Sequence, residues 1–291
     1  MKKILVVGLV GYSLFYELDH NPQIGESVIT KSITKEIGAK AFNEAYTIKK
    51  LGGNVKFISS IGDDEFKDLI YTDLKKVGLS DNIVLKHGPN TIASIMTCNG
   101  KNSVFVSKGV ELDNNDLDYI YKEIEECDIV LLTNEIDEGI LNKIIDKARL
   151  LNKYIILNVS PVKEKNYIDF VNMIVLNEIE HSQFLASLEI EEILDIYCES
   201  VITNGDKPII YLSSIDGGVH SIDVPQVDNV VDTTGAGDIF LGALTYMLSK
   251  IDDISKIDVE KIRASIIFAA SIAGNSVKYK YVLESIKQST K

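Results

Sequence analysis

Asp232-Thr233-Thr234-Gly235-Ala236-Gly237-Asp238 sets two glycines between two carboxylates, and an apolar helical pattern follows at once (Ile239, Phe240, Ala243, Leu244, Met247, Leu248). Glycine lets backbone N–H groups approach a ligand where a side chain would stand in the way. A helix N-terminus adds unpaired donors and the positive end of a dipole, so the turn suits an anion. Asp238 puts a proton acceptor beside that anion. A cradle for an anion with an adjacent base is what phosphoryl transfer to an alcohol requires.

Working outward, the chain of 291 residues is long enough for a sizeable core and for one or two domains. Its formal charge of −13 offers no basic footprint for nucleic acid, although local N–H groups can still bind a small phosphate. Cys98, Cys127 and Cys198 lie far apart without metal-binding spacing and read as isolated thiols in a reducing compartment, which predicts a cytoplasmic protein. The start MKKILVVGLVG reads as a buried first strand rather than a signal peptide, and no apolar run reaches membrane-spanning length, so no membrane partner is expected.

Apolar, β-branched runs mark strands at Ile4–Val7, Val55–Ile58, Ile129–Leu132, Tyr154–Asn158, Met173–Leu176, Ser200–Thr203 and Ile209–Leu212. Amphipathic stretches at Ala41–Lys50, Glu65–Val77, Leu117–Glu125, Ile140–Leu151 and Glu189–Tyr197 separate them. This rhythm predicts a mostly parallel sheet with helices on both faces and a ligand at the carboxyl ends of its strands. Two segments break it: Gly25–Ile37 (GESVITKSITKEI), and Thr91–Val106 with Asn99-Gly100 as a hairpin turn. Both are too polar on one side for a parallel core. They predict a small antiparallel β lid, from about residues 12–37 and 88–110, over a single domain. Its exposed edges invite a homodimer. The tail Lys287–Lys291 is expected to fray.

The Asp232–Asp238 run also resembles the C-terminal signature of the ribokinase-like (PfkB) family of carbohydrate kinases, D-T-x-G-A-G-D opening a helix. A second match covers Gly38-Ala39-Lys40-Ala41-Phe42-Asn43-Glu44-Ala45, followed by Leu51-Gly52-Gly53-Asn54-Val55 and Ile61-Gly62-Asp63-Asp64. The resemblance spans nearly the whole chain. It implies a three-layer α/β fold and ATP-dependent transfer of the γ-phosphoryl to a hydroxyl of a sugar or sugar-like molecule. Asp238 would be the general base, with the N–H groups of Gly235, Ala236 and Gly237 as the anion hole. Asn177 and Glu180 match the family's N-x-x-E motif, with Asn177 near phosphate and Glu180 acting on Mg2+ through its waters. Thr203 and Gly205 match its nucleotide turn. Thr234 would join them at the nucleotide, and Asp232 would help to hold a cation, for which many members use K+.

On the acceptor side the resemblance implies Gly38, Ala39, Lys40, Asn43 and Glu135 as sugar contacts. Two family glycines are alanines here, Ala39 and Ala41, and each added methyl is expected to narrow the sugar pocket or to mark another substrate. Relatives usually carry a sugar-binding aspartate five residues after the glycine that ends the first strand. Counting from Gly8, that position is Ser13. Pentose, hexose, sugar-phosphate and nucleoside acceptors all fit the framework, as does a metabolite sensor without turnover. Gly8-Leu9-Val10-Gly11 is half of a dinucleotide fingerprint but lacks the third glycine, no P-loop motif occurs, and the four histidines have no metal spacing.

Overall fold

The computed structural model describes residues 1–98, 101–163, 170–186 and 198–291. The expected helix at Glu189–Tyr197 and the Asn99-Gly100 turn lie outside these residues.

The main sheet has nine strands in the order β13-β12-β11-β10-β9-β8-β1-β4-β5. Within it β1 (Lys3–Val7) is flanked by β4 (Asn54–Ile61) and β8 (Ile129–Thr133), both parallel to it. The parallel run continues through β9 (Tyr154–Asn158), β10 (Met173–Asn177) and β11 (Glu199–Thr203), and on the other side to β5 (Ile83–Leu85). β12 (Ile209–Leu212) and β13 (Val219–Ile222) close one edge antiparallel. All seven strands expected from apolar runs are present. Their continuous apolar sequences follow from burial on both faces: Ile4 and Val6 of β1 enter one core, and Leu5 and Val7 the other.

Helices fill both sides, as right-handed crossovers require. One layer holds α1 (Lys40–Lys50), α2 (Lys67–Val77), α6 (Ala236–Leu248), α7 (Val259–Ser276) and α8 (Val282–Ser289). The other holds α3 (Leu117–Glu126), α4 (Glu138–Leu150) and α5 (Glu178–Ala186). Among the described residues no helix is long and apolar enough to cross a membrane. The tail does not fray as expected: α8 runs to Ser289, which is buried.

A separate four-stranded sheet, β3-β2-β6-β7, forms the lid from β2 (Gly11–Leu18), β3 (Ser32–Gly38), β6 (Thr91–Cys98) and β7 (Lys101–Ser107). It departs from the expected antiparallel flap in one respect. β2 and β6, at its centre, run parallel, because a whole βαβ passage through the main sheet separates them. Residues 25–31 carry no strand.

Candidate active site

The glycine turn lies where α6 begins. Gly235 adopts the left-handed conformation (φ 76°), and a Cβ there would stand 2.7 Å from Val282, so only glycine fits. No side chain caps α6. A Cβ on Gly237 would meet nothing within 4 Å, so its backbone faces open space, as an anion cradle needs. The Ala236 N–H differs from expectation: it donates to Thr233 O at 3.2 Å within the turn, and so is already engaged.

Asp238, in the first turn of α6, is buried. Asn43 Nδ2 donates to its Oδ2 at 2.8 Å, and the Lys40 ammonium lies 3.9 Å from its Oδ1. Lys40, Asn43, Glu44 and Thr47 share one face of α1, and this face packs on α6 at Gly242, one turn beyond Asp238. A Cβ on Gly242 would come within 2.7 Å of both Glu44 O and Thr47 Cβ, so the glycine permits the close approach that brings Asn43 to the base.

The acceptor side is rich in carboxyl groups. Glu135, in the loop after β8, is raised to about 7 by burial and by Asp238, against the pull of Lys40 and its backbone N–H. Its Oε2 is buried without a partner, as is Asn43 Oδ1. Glu44 was not singled out as a site residue from the sequence, although its spacing four residues after Lys40 was legible. It is fully buried, accepts from Asn158 Nδ2 at 2.8 Å through Oε1, and has no partner at Oε2. Burial, then the charge of Asp238, holds its pKa well above the carboxylate range, which favours the protonated form of Glu44. Burial pulls Lys40 toward losing its proton. The charges of Asp238, Glu135, Glu180 and Glu44 outweigh this and leave Lys40 above the ordinary lysine value.

The two alanines sit in different settings. Ala41 is fully buried, and its methyl packs where a side chain on Gly8 would be, 2.3 Å from that missing Cβ. It fills the joint between α1 and β1 rather than narrowing the pocket. Ala39 is the N-cap of α1 with φ 105° and ψ 156°, a conformation that favours glycine. Its methyl adds backbone strain at the mouth of the site. Ser13 lies on β2 beside Gly38, where a Cβ would stand 2.8 Å from its Oγ.

On the nucleotide side, Asn177 and Glu180 form a reciprocal cap on α5. Asn177 Oδ1 accepts from the N–H groups of Ile179 and Glu180 (2.9 Å each), and Glu180 Oε2 accepts from Asn177 N at 2.9 Å. This leaves Glu180 Oε1 for a water of a hydrated Mg2+. Among the described residues no group of three or more His, Cys, Asp or Glu could hold a metal directly, so phosphate oxygens and water would supply most of its shell. Thr203 closes β11, and Gly205 follows with φ 57°. Three donors already point at the Asp232 carboxylate. Oδ1 takes Thr234 N (2.9 Å) and Thr234 Oγ1 (2.6 Å), and Oδ2 takes Tyr281 N (3.2 Å). Thr234 Oγ1 also accepts from Asn102 Nδ2 of lid strand β7 at 2.7 Å, a contact that no local sequence pattern signals.

The model of the pfkB family carbohydrate kinases matches residues 1–288. The ribokinase of Bacillus subtilis (strain 168) is 30% identical over 265 residues, covering 87% of this chain and 88% of that one. The ribokinase of Lactococcus lactis subsp. lactis (strain IL1403) is 30% identical over 264 residues, covering 88% and 86%. The ribokinase structure from Giardia lamblia superposes with a TM-score of 0.89 at 19% identity, covering 100% of this chain and 99% of that one. With a buried carboxylate beside a glycine cradle at the head of α6 and a family match over almost its full length, the chain belongs to the pfkB family of carbohydrate kinases, phosphotransferases acting on a sugar hydroxyl.

Proposed function

We propose that this carbohydrate kinase transfers the γ-phosphoryl of ATP to a hydroxyl of an unphosphorylated sugar, with Asp238 as general base. The observation that carries this is the Asn43–Asp238 hydrogen bond, which joins the acceptor loop to the phosphoryl loop and aims one carboxylate at both. A carboxylate is too weak to ionise a sugar hydroxyl beforehand. It takes the proton as the oxygen–phosphorus bond forms, and it orients the hydroxyl in line. The backbone at Gly235 and Gly237 holds the transferring charge, with Ala236 joining once its N–H leaves Thr233. Mg2+, when bound, would supply positive charge that offsets the phosphates. Glu180 and Asn177 hold its waters, and Thr203, Gly205 and Thr234 border the nucleotide.

Ser13, Gly38, Lys40, Asn43 and Glu135 receive the acceptor. The only arginines are Arg149, stacked on Phe170 in the α4 layer, and Arg263, paired with Glu260 on α7. Lys40 faces the base and Lys108 donates to Glu135 O at 2.8 Å; neither offers the bidentate fork with which an arginine would hold an acceptor's own phosphate. Ser13 offers one hydroxyl where an aspartate would accept from two, so the acceptor makes fewer hydrogen bonds at that end.

The lid closes over the sugar and excludes water. Ile33, Val104, Phe105 and Val106 are exposed on its strands, and we place a second copy of the chain there; light scattering on the purified protein distinguishes monomer from dimer. Cytoplasmic residence accords with the free thiols of Cys98 and Cys127.

The function is tested by coupled ADP-release assays across pentoses, hexoses, nucleosides and sugar phosphates, with Asp238→Asn in parallel. Turnover on a free sugar that the variant loses supports the reading. Tight sugar binding with no ADP release from any acceptor refutes it in favour of a sensor.

A further inference from the structure

The segment between α7 and α8 meets both the lid and the phosphoryl loop. Tyr281, the residue before α8, has φ 70° and ψ 148°, a region that a bulky side chain rarely enters. Such a backbone persists only where its surroundings over-determine it. Here the lid supplies them. The Phe15 ring packs edge-on to the Tyr281 ring at 5.2 Å, and Thr34 Oγ1 shares a hydrogen bond with the Tyr281 hydroxyl at 2.9 Å. Glu36 accepts from the N–H groups of Val282 (2.9 Å) and Leu283 (3.3 Å), and Lys280 pairs with Glu17 at 3.2 Å.

The strained conformation turns the Tyr281 N–H onto Asp232 Oδ2. Asp232 Oδ1 is taken by the two Thr234 donors, and the carbonyl of Val277 accepts from both Val231 N (2.7 Å) and Asp232 N (3.1 Å). A bound cation needs oxygens turned toward it. At this loop, donor hydrogens point at the carboxylate, and a carbonyl that could serve as ligand has both lone pairs engaged. The partial positive charge of those N–H groups, and of the α8 N-terminus behind them, balances Asp232.

We propose that the main-chain N–H of Tyr281, held in place by the lid, occupies the position of a monovalent cation at Asp232, so that this enzyme works without one. The docked lid, rather than an ion, then orders the Asp232–Gly235 turn. This rests on the phosphoryl-transfer role given to that turn above.

The test uses the full chain at matched ionic strength in potassium, sodium or tetramethylammonium chloride. Three quantities are read: turnover with the best acceptor, ATP affinity by calorimetry, and the thermal midpoint without ligand. Turnover and affinity agreeing within about threefold across the salts, with coincident midpoints, is the expected result. Potassium-selective activation or tightening above about threefold, or a potassium-selective rise in the midpoint, overturns it. If no acceptor is turned over, the kinase reading fails, while the affinity and midpoint arms still decide the cation question.

Discussion

Glu36 ties the lid to α8, and replacing it with glutamine should change how stability depends on pH. The residue is 8% exposed, and burial raises its pKa from 4.5 to about 7, with the N–H groups of Val282 and Leu283 opposing the rise and Asp232 adding to it. Because the folded value lies above the unfolded one, the folded state holds a proton that the unfolded chain has released. Stability from this group is fully present below about 4.5 and is lost as pH rises to about 7, after which it is flat. The window is 7 − 4.5 = 2.5 units, and each unit is worth about 1.4 kcal/mol, so the loss is about 3 kcal/mol. Glutamine keeps an acceptor for one α8 N–H but carries no such proton. Glu36→Gln should therefore match the parent near pH 4.5 and exceed it by about 3 kcal/mol at pH 8, apart from a small loss at the cap. Urea unfolding of both proteins, followed by circular dichroism from pH 4.5 to 8, gives the difference directly; other titrating groups cancel between the two chains. A difference that stays constant across that range would falsify the argument that Glu36 is buried and protonated in the clasp.

Four further outcomes are expected. Asp238→Asn should lower kcat by about 10²- to 10⁴-fold while ATP affinity, measured by calorimetry, stays nearly unchanged. Ala39→Gly should relieve about 1–3 kcal/mol of strain and return up to about 1 through unfolded-chain entropy, a net gain visible as a higher thermal midpoint. Gly8→Ala should cost about 1–3 kcal/mol by collision with Ala41, and most of that should return in the double variant with Ala41→Gly; additive losses in the cycle would rule out the contact. Glu44→Gln should keep activity at neutral pH and stabilise the fold increasingly as pH rises above the ordinary glutamate value, because it no longer has to take up a proton on folding. Loss of turnover in that variant with an unchanged midpoint would show that the Glu44 charge is used.

The parallel core was legible because strands buried on both faces leave continuous apolar runs, as at Ile129–Leu132 and Tyr154–Asn158, and two of the seven strands were placed to the residue at both ends. The lid was legible as polar, β-branched segments. Its parallel β2–β6 pairing was not, since nothing in either strand names a partner 80 positions away. The phosphoryl turn could be read because its chemistry is local: glycine, glycine and carboxylate in one helical start. The N-x-x-E motif was also local, yet its cap geometry and its candidate role at Mg2+ use the same side chains, so spacing cannot separate them. Where the Ala41 methyl packs was not legible, because its direction depends on what lies against it, and Gly8 is 33 positions before Ala41.

By itself, then, the sequence determined the layered fold and marked the candidate base and its glycine turn, since each is written in neighbouring residues whose spacing is their geometry. Only the tertiary structure decided which carboxyl keeps a proton, that Asn43 holds Asp238, and that Tyr281 closes the Asp232 site. Those outcomes depend on burial and on distances between segments that are far apart in the chain, Asn43 and Asp238 by 195 positions and Asp232 and Tyr281 by 49, and the chain order does not carry them.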